Sequence, residues 1–129
     1  MTSVLVIGSN YGDRIHNVKK AIDFLGDRYE ILNCSEIYES PDLLGTGAPY
    51  LNAVVEISIS NDEDEVNRVL KKFEADSGRD AVRRSRGEVP VDIDIVIWNE
   101  EIRRQKDYES AYFLKGYEQI MVVKNVKMI

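Results

Sequence analysis

The most regular pattern in the chain is the alternation of apolar and acidic residues between Val91 and Trp98. β-branched residues dominate this stretch, which is typical of a strand. Apolar residues occupy its odd positions: Val91, Ile93, Ile95 and Ile97. Because side chains alternate between the two faces of a strand, Asp92 and Asp94 share the opposite face, with Cβ atoms roughly 6.5 Å apart. The two carboxylates could hold one hard cation or a pair of them, or they could lie solvated on an exposed face.

Two segments before this strand are predicted from their apolar spacing. The run from Ser3 to Ser9 predicts a buried strand. The next segment predicts a helix that begins near Asp13 and ends at Gly26. Its expected buried residues recur at helical spacing: Ile15, Val18, Ile22 and Leu25.

A second set of elements follows in the same order. Tyr29 to Ser40 is an extended stretch, and Leu51 to Ser60 alternates as a half-buried strand does. Ser60 and Glu63 form a capping-box pattern that predicts another helix, which ends at Gly78. The buried side of that helix is expected to contain Val66, Val69, Leu70 and Phe73.

The segment after Trp98 is less regular. It is polar from Asn99 to Glu109, and apolar residues return in three short runs. We predict strand-like pieces there, at 111–114, 120–123 and 127–129.

The order of these elements predicts an α/β (α+β) fold. Two strand-helix-strand units with right-handed crossovers give the ferredoxin-like split βαββαβ arrangement. Its sheet is mainly antiparallel, with both helices on one face and the ligand site on the other. Asn52, Asp92 and Asp94 all oppose the apolar residues of their strands, so we expect them to converge on the open face.

Length and charge narrow the class of protein. The 129 residues suit a single domain, residues 1–129. A net charge of −6 argues against a protein that grips nucleic acid over a broad surface. No apolar run is long enough to span a membrane, and the single cysteine, Cys34, cannot form an internal disulfide. We expect a cytoplasmic monomer.

Four arginines lie within residues 79–86 of this acidic chain: Arg79, Arg83, Arg84 and Arg86. They could form a solvated basic loop. They could also bind an anion, because the planar guanidinium suits phosphate. Their position just before the aspartate pair favours the second interpretation, since cations on the aspartates and neighbouring arginines would together suit a polyphosphate.

Several short motifs are spread over residues 4 to 98. They are Ile7-Gly8-Ser9-Asn10 with Gly12-Asp13-Arg14, Tyr38-Glu39-Ser40-Pro41, Tyr50-Leu51-Asn52-Ala53-Val54-Val55, Glu74 with Gly78-Arg79, and Val91-Asp92-Ile93-Asp94-Ile95. Taken together, and in this order, they resemble the 6-hydroxymethyl-7,8-dihydropterin pyrophosphokinase family of folate biosynthesis.

The resemblance implies a transfer of diphosphate from ATP to the hydroxymethyl group of the pterin. It implies that Asp92 and Asp94 hold two Mg²⁺ ions against the ATP phosphates and that Arg79 contacts phosphate. Asp92, Asp94 and Arg79 are thereby the expected catalytic residues. The pterin pocket is expected to include Ser40, Pro41, Leu43, Tyr50, Asn52 and Glu74, with Leu44 as an alternative to Leu43.

The chain also departs from the family pattern, as a divergent and C-terminally shortened member would. Arg86 stands where the family has a tryptophan, and Val89 stands where it has an arginine. The family's Pro-His segment has no counterpart between Asn99 and Tyr112. The pterin-stacking phenylalanine corresponds to either Tyr112 or Phe113.

These departures leave two alternatives to the active enzyme. Arg83, Arg84 and Arg86 are candidates to replace the lost phosphate contacts. Without such a replacement, the protein would be a non-catalytic relative that binds a pterin or nucleotide or serves as an interaction module. An unrelated ferredoxin-like module is the third possibility.

Overall fold

The protein is built on one antiparallel sheet. The computed structural model describes residues 1–42 and 47–127. Within those ranges the strands are β1 (Thr2–Ser9), β2 (Glu30–Cys34), β3 (Tyr38–Ser40), β4 (Tyr50–Ser58), β5 (Asp92–Trp98) and β6 (Glu101–Ile102). The helices are α1 (Arg14–Arg28), α2 (Glu63–Asp76), α3 (Ala81–Ser85), α4 (Gln105–Glu109) and α5 (Ala111–Lys127).

The strand order confirms the predicted ferredoxin-like α+β architecture. The sheet runs β2-β4-β1-β5-β6, and β3 pairs with a different part of β4. Each of these pairings is antiparallel. The two long crossover helices, α1 and α2, pack on the same face, where Phe24 and Phe73 meet edge-to-face with ring centroids 4.3 Å apart.

The core beneath α1 and α2 follows the predicted spacing with some exceptions. Val18 and Leu25 are buried as expected, whereas Ile15 is 53% exposed and Ala21 takes its place in the core. Gly26 does not end α1, because an interior glycine costs a helix only about 1 kcal/mol and the helix continues to Arg28.

The second helix also begins later than the capping-box pattern predicted. The N-cap of α2 is Asp62 instead of Ser60, and its carboxylate accepts a hydrogen bond from the Glu65 N–H at 2.8 Å. Aspartate and serine cap helices about equally well, so the local sequence did not distinguish them. The stop at Gly78 is confirmed: Ser77 is the C-cap, and Gly78 has a φ of +98°.

A β-bulge changes the face on which β5 presents its last residues. The register shifts opposite Val4 and Leu5. Val96 and Ile97 therefore both face away from α1 and α2, while Trp98 joins their core. The prediction that Ile97 shares a face with Ile93 and Ile95 is wrong, because a bulge interrupts the two-residue period.

The C-terminal segment is helical, which corrects the strand-like pieces predicted at 111–114 and 120–123; residues 128 and 129 lie outside the described ranges. Helix α5 packs against the second face of the sheet, and its buried Phe113 and Ile120 form a second core with Val54. Gly116 permits this close approach, because a Cβ there would lie 2.6 Å from Cγ2 of Val54. The second face is therefore open only at the end that α5 leaves uncovered.

Within the described ranges, the helices lack the combination of length and apolar character that crossing a lipid bilayer requires.

Candidate functional site

A cavity of about 240 Å³ occupies the uncovered end of the second face. We call it the strand cavity, since its floor is formed by residues of β1, β4 and β5: Gly8, Asn52, Asp92 and Asp94. Ser40, Pro41 and Tyr50 contribute one wall, and Arg104, Asp107 and Tyr112 contribute another. The convergence of Asn52, Asp92 and Asp94 that the strand patterns predicted is confirmed.

Gly8 explains why a cavity forms at this point of the sheet. It pairs with Asn52 on one side and with Asp92 on the other. A Cβ at Gly8 would lie 3.1 Å from Nδ2 of Asn52 and 3.2 Å from Cδ1 of Tyr50. Any larger residue would therefore press on both of these side chains. The missing side chain leaves the space that the neighbouring polar groups surround.

The two aspartates are held by cations on their protein side. Nη1 of Arg79 lies 2.5 Å from Oδ1 of Asp92, and Nζ of Lys71 lies 3.5 Å from Oδ1 of Asp94. Both cations also contact Glu74, whose side chain is only 4% exposed: Arg79 at 2.6 Å and Lys71 at 3.0 Å. Glu74 accepts a further hydrogen bond from the Ile93 N–H at 3.0 Å. This buried carboxylate therefore aligns both cations with β5.

The aspartate pair has unequal proton affinity. Burial, the hydrogen bond with Asp92 and the charge of Asp92 together raise the pKa of Asp94 to about 8. Burial alone would also raise the pKa of Asp92, but the hydrogen bond from Asp94 and the guanidinium of Arg79 lower it below its ordinary value. Without a metal, the pair therefore shares one proton at neutral pH.

Ser40 and Asn52 are joined at the floor of the strand cavity. The Ser40 hydroxyl donates to Oδ1 of Asn52, and Nδ2 of Asn52 donates to the Ile7 carbonyl at 3.3 Å. These two bonds fix the orientation of the carboxamide. Leu43 and Leu44, predicted for this wall, lie outside the described residues.

The alternative between Tyr112 and Phe113 is decided by burial. Phe113 is fully buried in the core beneath α5, where its ring stacks on Tyr117 with centroids 5.1 Å apart. Tyr112 lines the strand cavity. Of these two aromatic residues, Tyr112 is therefore the one placed to contact a ligand in this cavity, and its pterin contact stays a prediction.

Three of the four loop arginines are not among the residues that line the strand cavity as described. Its described lining does not include Arg83, Arg84 or Arg86. The Arg83 guanidinium lies 4.7 Å from the ring centroid of Tyr11, and its Nε donates to the Gly78 carbonyl at 3.1 Å. Arg84 and Arg86 are exposed. Their role as replacement phosphate contacts stays a prediction.

A second cavity, of about 260 Å³, lies between α2 and β5. We call it the helix cavity; it is lined by Glu63, Asp64, Asn67, Lys71, Asp94, Ile95, Arg103 and Arg104. Asp94 and Arg104 also line the strand cavity. The two cavities therefore have Asp94 and Arg104 in common as lining residues, and we call this shared wall their junction.

The carboxylates of Asp92 and Asp94 suit Mg²⁺. In the described part of the chain there is no cluster of three or more histidine, cysteine or carboxylate side chains that could hold a metal ion unaided. Mg²⁺ is usually bound by one or two carboxylates, with water and substrate phosphates as the remaining ligands. The hydrogen-bonded Asp92 and Asp94 provide such a carboxylate pair.

Comparison with known proteins decides the family. The model of the 7,8-dihydro-6-hydroxymethylpterin-pyrophosphokinase (HPPK) family matches residues 4–122. The chain belongs to this family. Membership confirms the resemblance that the motifs indicated.

Two kinds of known protein are similar to this sequence. A 2-amino-4-hydroxy-6-hydroxymethyldihydropteridine pyrophosphokinase of Aquifex aeolicus is 36% identical over 106 residues, which are 81% of this chain and 66% of that protein. The mitochondrial folate synthesis bifunctional protein of Pisum sativum is 34% identical over 98 residues, 74% of this chain and 19% of that protein. A folate synthesis bifunctional protein of Arabidopsis thaliana is 32% identical over 97 residues and is covered to 20%. The chain spans just under two thirds of the bacterial relative and about a fifth of the plant ones.

The sequence patterns do not mark Lys71, Arg104 and Asp107 as site residues. Lys71 lies within the amphipathic helix α2, outside its apolar spacing. Arg104 follows a two-residue hairpin turn at Asn99 and Glu100, whose φ values are +46° and +72°. An asparagine directly after a strand is a weak signal for such a turn, and it could have suggested that the chain folds back along β5.

Proposed function

We propose that this protein transfers the terminal diphosphate of ATP to the hydroxymethyl group of 6-hydroxymethyl-7,8-dihydropterin, as part of folate biosynthesis. The observation that carries the proposal is that two neighbouring cavities share Asp94 and Arg104 as lining residues. A group transfer between two substrates needs two binding spaces that join where the bond is made. Family membership supplies the identity of the substrates.

The strand cavity suits the pterin. Tyr50 and Tyr112 offer ring surfaces on two sides of it, and Pro41 adds an apolar edge. Asn52 uses one lone pair for Ser40 and one N–H for Ile7. A carboxamide has a second lone pair and a second N–H, so Asn52 can still pair with the polar edge of a pterin ring.

The helix cavity suits the nucleotide. Lys71 and Arg104 line it and are adjacent to Asp94. Both side chains are cationic and can attract the phosphate chain. The nucleoside would then lie along α2, near Asn67 and Ile95. Arg103 is a further cation of this lining. Arg79 pairs with Asp92 and Glu74 and is in the described lining of neither cavity, so its expected phosphate contact stays a prediction.

The reaction joins the pterin oxygen to the β-phosphorus of ATP. The hydroxymethyl oxygen attacks that phosphorus, the bond from it to the oxygen bridging to the α-phosphate breaks, AMP leaves with that oxygen, and the hydroxyl proton passes to solvent. Asp92 and Asp94 would hold two Mg²⁺ ions, which would supply positive charge to the phosphates. The protein contributes mainly by positioning the two substrates and by charge neutralisation, as in other phosphoryl transfers.

The placement of Arg83, Arg84 and Arg86 favours a second candidate, a relative that binds its ligands without catalysis. Because the described lining of neither cavity includes them, a protein that binds pterin and nucleotide without catalysis is the second candidate. The cytoplasmic location and the monomeric state stay predictions from the sequence.

An AMP-release assay tests the proposal. We expect AMP from ATP only when the pterin and Mg²⁺ are both present. Asp92→Ala should lower kcat at least 100-fold, on the order of what the loss of one preorganised charged group costs. Asp76→Ala is the matched control, since Asp76 is an exposed acid of α2 paired only with exposed Lys72 in the described contacts.

If the wild-type protein releases no AMP at any substrate concentration, the proposed pyrophosphokinase activity is excluded. Calorimetry with the pterin and with α,β-methylene ATP would then separate the alternatives. Binding of either ligand would identify the non-catalytic binder. Binding of neither would indicate an interaction module.

A further inference from the structure

Arg104 lies at the junction of the two cavities. It follows the β5–β6 hairpin, and its backbone position is fixed by the neighbouring Arg103 N–H, which donates to the Val96 carbonyl at 2.8 Å. Its Nη1 lies 4.0 Å from Oδ1 of Asp94, which is beyond hydrogen-bond distance. The side chain is 52% exposed and lines both cavities, so a ligand in either cavity can contact it.

A chain of hydrogen bonds holds Arg104 against the sheet. Its Nε donates to one carboxylate oxygen of Asp107, and the Tyr112 hydroxyl donates to the other. The Tyr112 carbonyl in turn accepts from the Tyr38 hydroxyl on β3. Burial raises the pKa of Tyr38 to about 12, so this hydroxyl keeps its proton at neutral pH. Asp107 therefore orients Arg104 without occupying its outer nitrogens.

A structural ion pair is the ordinary explanation for an arginine between two aspartates. At 4.0 Å from Asp94, however, Arg104 gains little from that contact. Arg103, one residue earlier, shows what a structural pair looks like here: its Nε lies 3.0 Å from Glu63 and its Nη1 lies 2.8 Å from Glu101. Arg104 differs because its close pair with Asp107 uses Nε alone, and because its side chain lines both cavities.

We propose that Arg104 is a catalytic residue that binds the transferred diphosphate at the junction of the two cavities, and that Asp107 and Tyr112 are its positioning residues. This inference rests on the proposed function and adds a residue to it. Arginine's planar fork can contact two phosphate oxygens at once. Arg104 would thereby perform in this chain the role for which the sequence offered Arg83, Arg84 and Arg86.

Kinetics of three variants test the role of Arg104. Arg104→Ala should lower kcat for AMP release by about 10²–10³, the usual cost of losing one preorganised group at the developing charge. Arg104→Lys should fall between the wild type and Arg104→Ala, because it keeps the charge and loses the fork. Arg68→Ala, which removes an exposed arginine of α2 that lines neither cavity, should stay within about twofold of the wild type.

Binding measurements separate a phosphate contact from a structural role. Calorimetry with α,β-methylene ATP and with AMP compares a ligand that carries the transferred diphosphate with one that lacks it. Arg104→Ala should weaken the analogue at least tenfold and leave AMP within twofold. Equal weakening of both ligands would indicate a merely structural residue and overturn the inference. If Arg104→Ala does not fold, Arg104→Gln is measured in the same way.

The outcomes distinguish this inference from the proposed function. If the wild type releases AMP and Arg104→Ala releases it at the same rate, the function stands and the inference is overturned. If the wild type releases no AMP, the proposed function and a catalytic role for Arg104 are both excluded, and the binding comparison decides only whether Arg104 contacts the diphosphate. Loss of affinity for α,β-methylene ATP in Arg104→Ala would then support that contact. Unchanged affinity in the variant, or no affinity in the wild type, would overturn it.

Discussion

Asn10 and Val89 are joined by two hydrogen bonds across 79 residues of sequence. The Asn10 N–H donates to the Val89 carbonyl at 3.0 Å, and the Val89 N–H donates to Oδ1 of Asn10 at 2.6 Å. Nδ2 of the same side chain donates to the carbonyls of Gly87 at 2.8 Å and Ala48 at 3.2 Å. One buried asparagine thus connects the loop after β1 to two other loops near the strand cavity.

Replacing Asn10 should loosen all three loops. Asn10→Ala removes three side-chain hydrogen bonds, and we expect the free energy of unfolding to fall by about 2–3 kcal/mol, since each buried bond contributes about 1 kcal/mol. The KM for the pterin should rise more than kcat falls, because Asn10 is not in contact with the cavity. Urea unfolding and steady-state kinetics check this.

Asn17→Ala is the matched control for Asn10. Nδ2 of Asn17, in α1, donates to the Tyr11 carbonyl at 2.9 Å and to the Ser9 hydroxyl at 3.3 Å, so both bonds stay within the connection from β1 to α1. Its effect on KM should be small. If Asn17→Ala raised KM as much as Asn10→Ala, the connection between loops would not be the cause.

Gly8→Ala should close part of the strand cavity. The added methyl would lie 3.1 Å from Nδ2 of Asn52, tighter than ordinary van der Waals contact. We expect the affinity for the pterin to fall at least tenfold, about 1.4 kcal/mol, with little change in the affinity for α,β-methylene ATP. Calorimetry with both ligands measures the difference.

Gly26→Ala is the control for the Gly8→Ala variant. Its Cβ would meet Cδ1 of Ile31 at an ordinary 3.4 Å. Alanine in a helix interior is favoured over glycine by about 1 kcal/mol, so this variant should be more stable and should bind the pterin normally. Equal pterin affinities for the two variants would contradict the role assigned to Gly8.

The metal-free protein should lose stability as the pH rises from about 4 to 8. The folded state raises the pKa of Asp94 to about 8, so in that range it retains a proton that the unfolded chain releases. Asp94→Asn removes this titration. We expect the variant to be more stable than the wild type at pH 8 in EDTA by about 1–3 kcal/mol, with the difference vanishing near pH 4.

Thermal or urea unfolding at several pH values measures that difference. Asp76→Asn, at an exposed acid, should leave the pH dependence unchanged. The raised pKa of Asp94 would be contradicted if the free energy of unfolding of the wild type increased between pH 5 and 8 by more than that of Asp94→Asn.

Lys124→Met should loosen α5 from the sheet. Nζ of Lys124 lies 2.6 Å from Oε2 of Glu56, whose other oxygen accepts from Asn33 at 2.8 Å. Glu56 is only 2% exposed, so removal of its cation leaves a buried carboxylate with one neutral partner. We expect a loss of about 1–3 kcal/mol in the free energy of unfolding.

Two further variants check the cause of that loss. Lys72→Met, which breaks an exposed pair with Asp76, should change stability by no more than about 0.5 kcal/mol. Glu56→Gln combined with Lys124→Met should recover part of the loss, since it removes the buried charge. No recovery would show that packing of the lysine stem, and not its charge, was lost.

The strand pattern predicted the centre of the site because it depends on local geometry alone. The alternation around Asp92 and Asp94 sets their face whatever surrounds the strand. The same period placed Asn52 with them, and the structure brings all three to one cavity. The alternation does not hold at Ile97, because the bulge there arises from the pairing of β5 with β1 and not from the sequence of β5.

The second wall of the site could not be predicted in the same way. Helix α5 buries Phe113 and Ile120 but leaves Val122 and Val123 exposed, so its apolar residues do not mark one side. Short apolar runs of this kind fit a strand or a helix equally well. Arg104 and Asp107 belong to the start of α4, and they reach the cavity only because α4 docks between the β5–β6 hairpin and α5.

The sequence by itself determined the family, the order of the elements and the pairing of two carboxylates on one strand face, since these follow from motifs and from the fixed periods of strands and helices. Only the tertiary structure decided which cations meet those carboxylates. Lys71, Arg79 and Arg104 come from α2, a loop and the start of α4, and their distances to Asp92 and Asp94 depend on how these pieces pack. Packing contacts between residues distant in sequence leave no period along the chain.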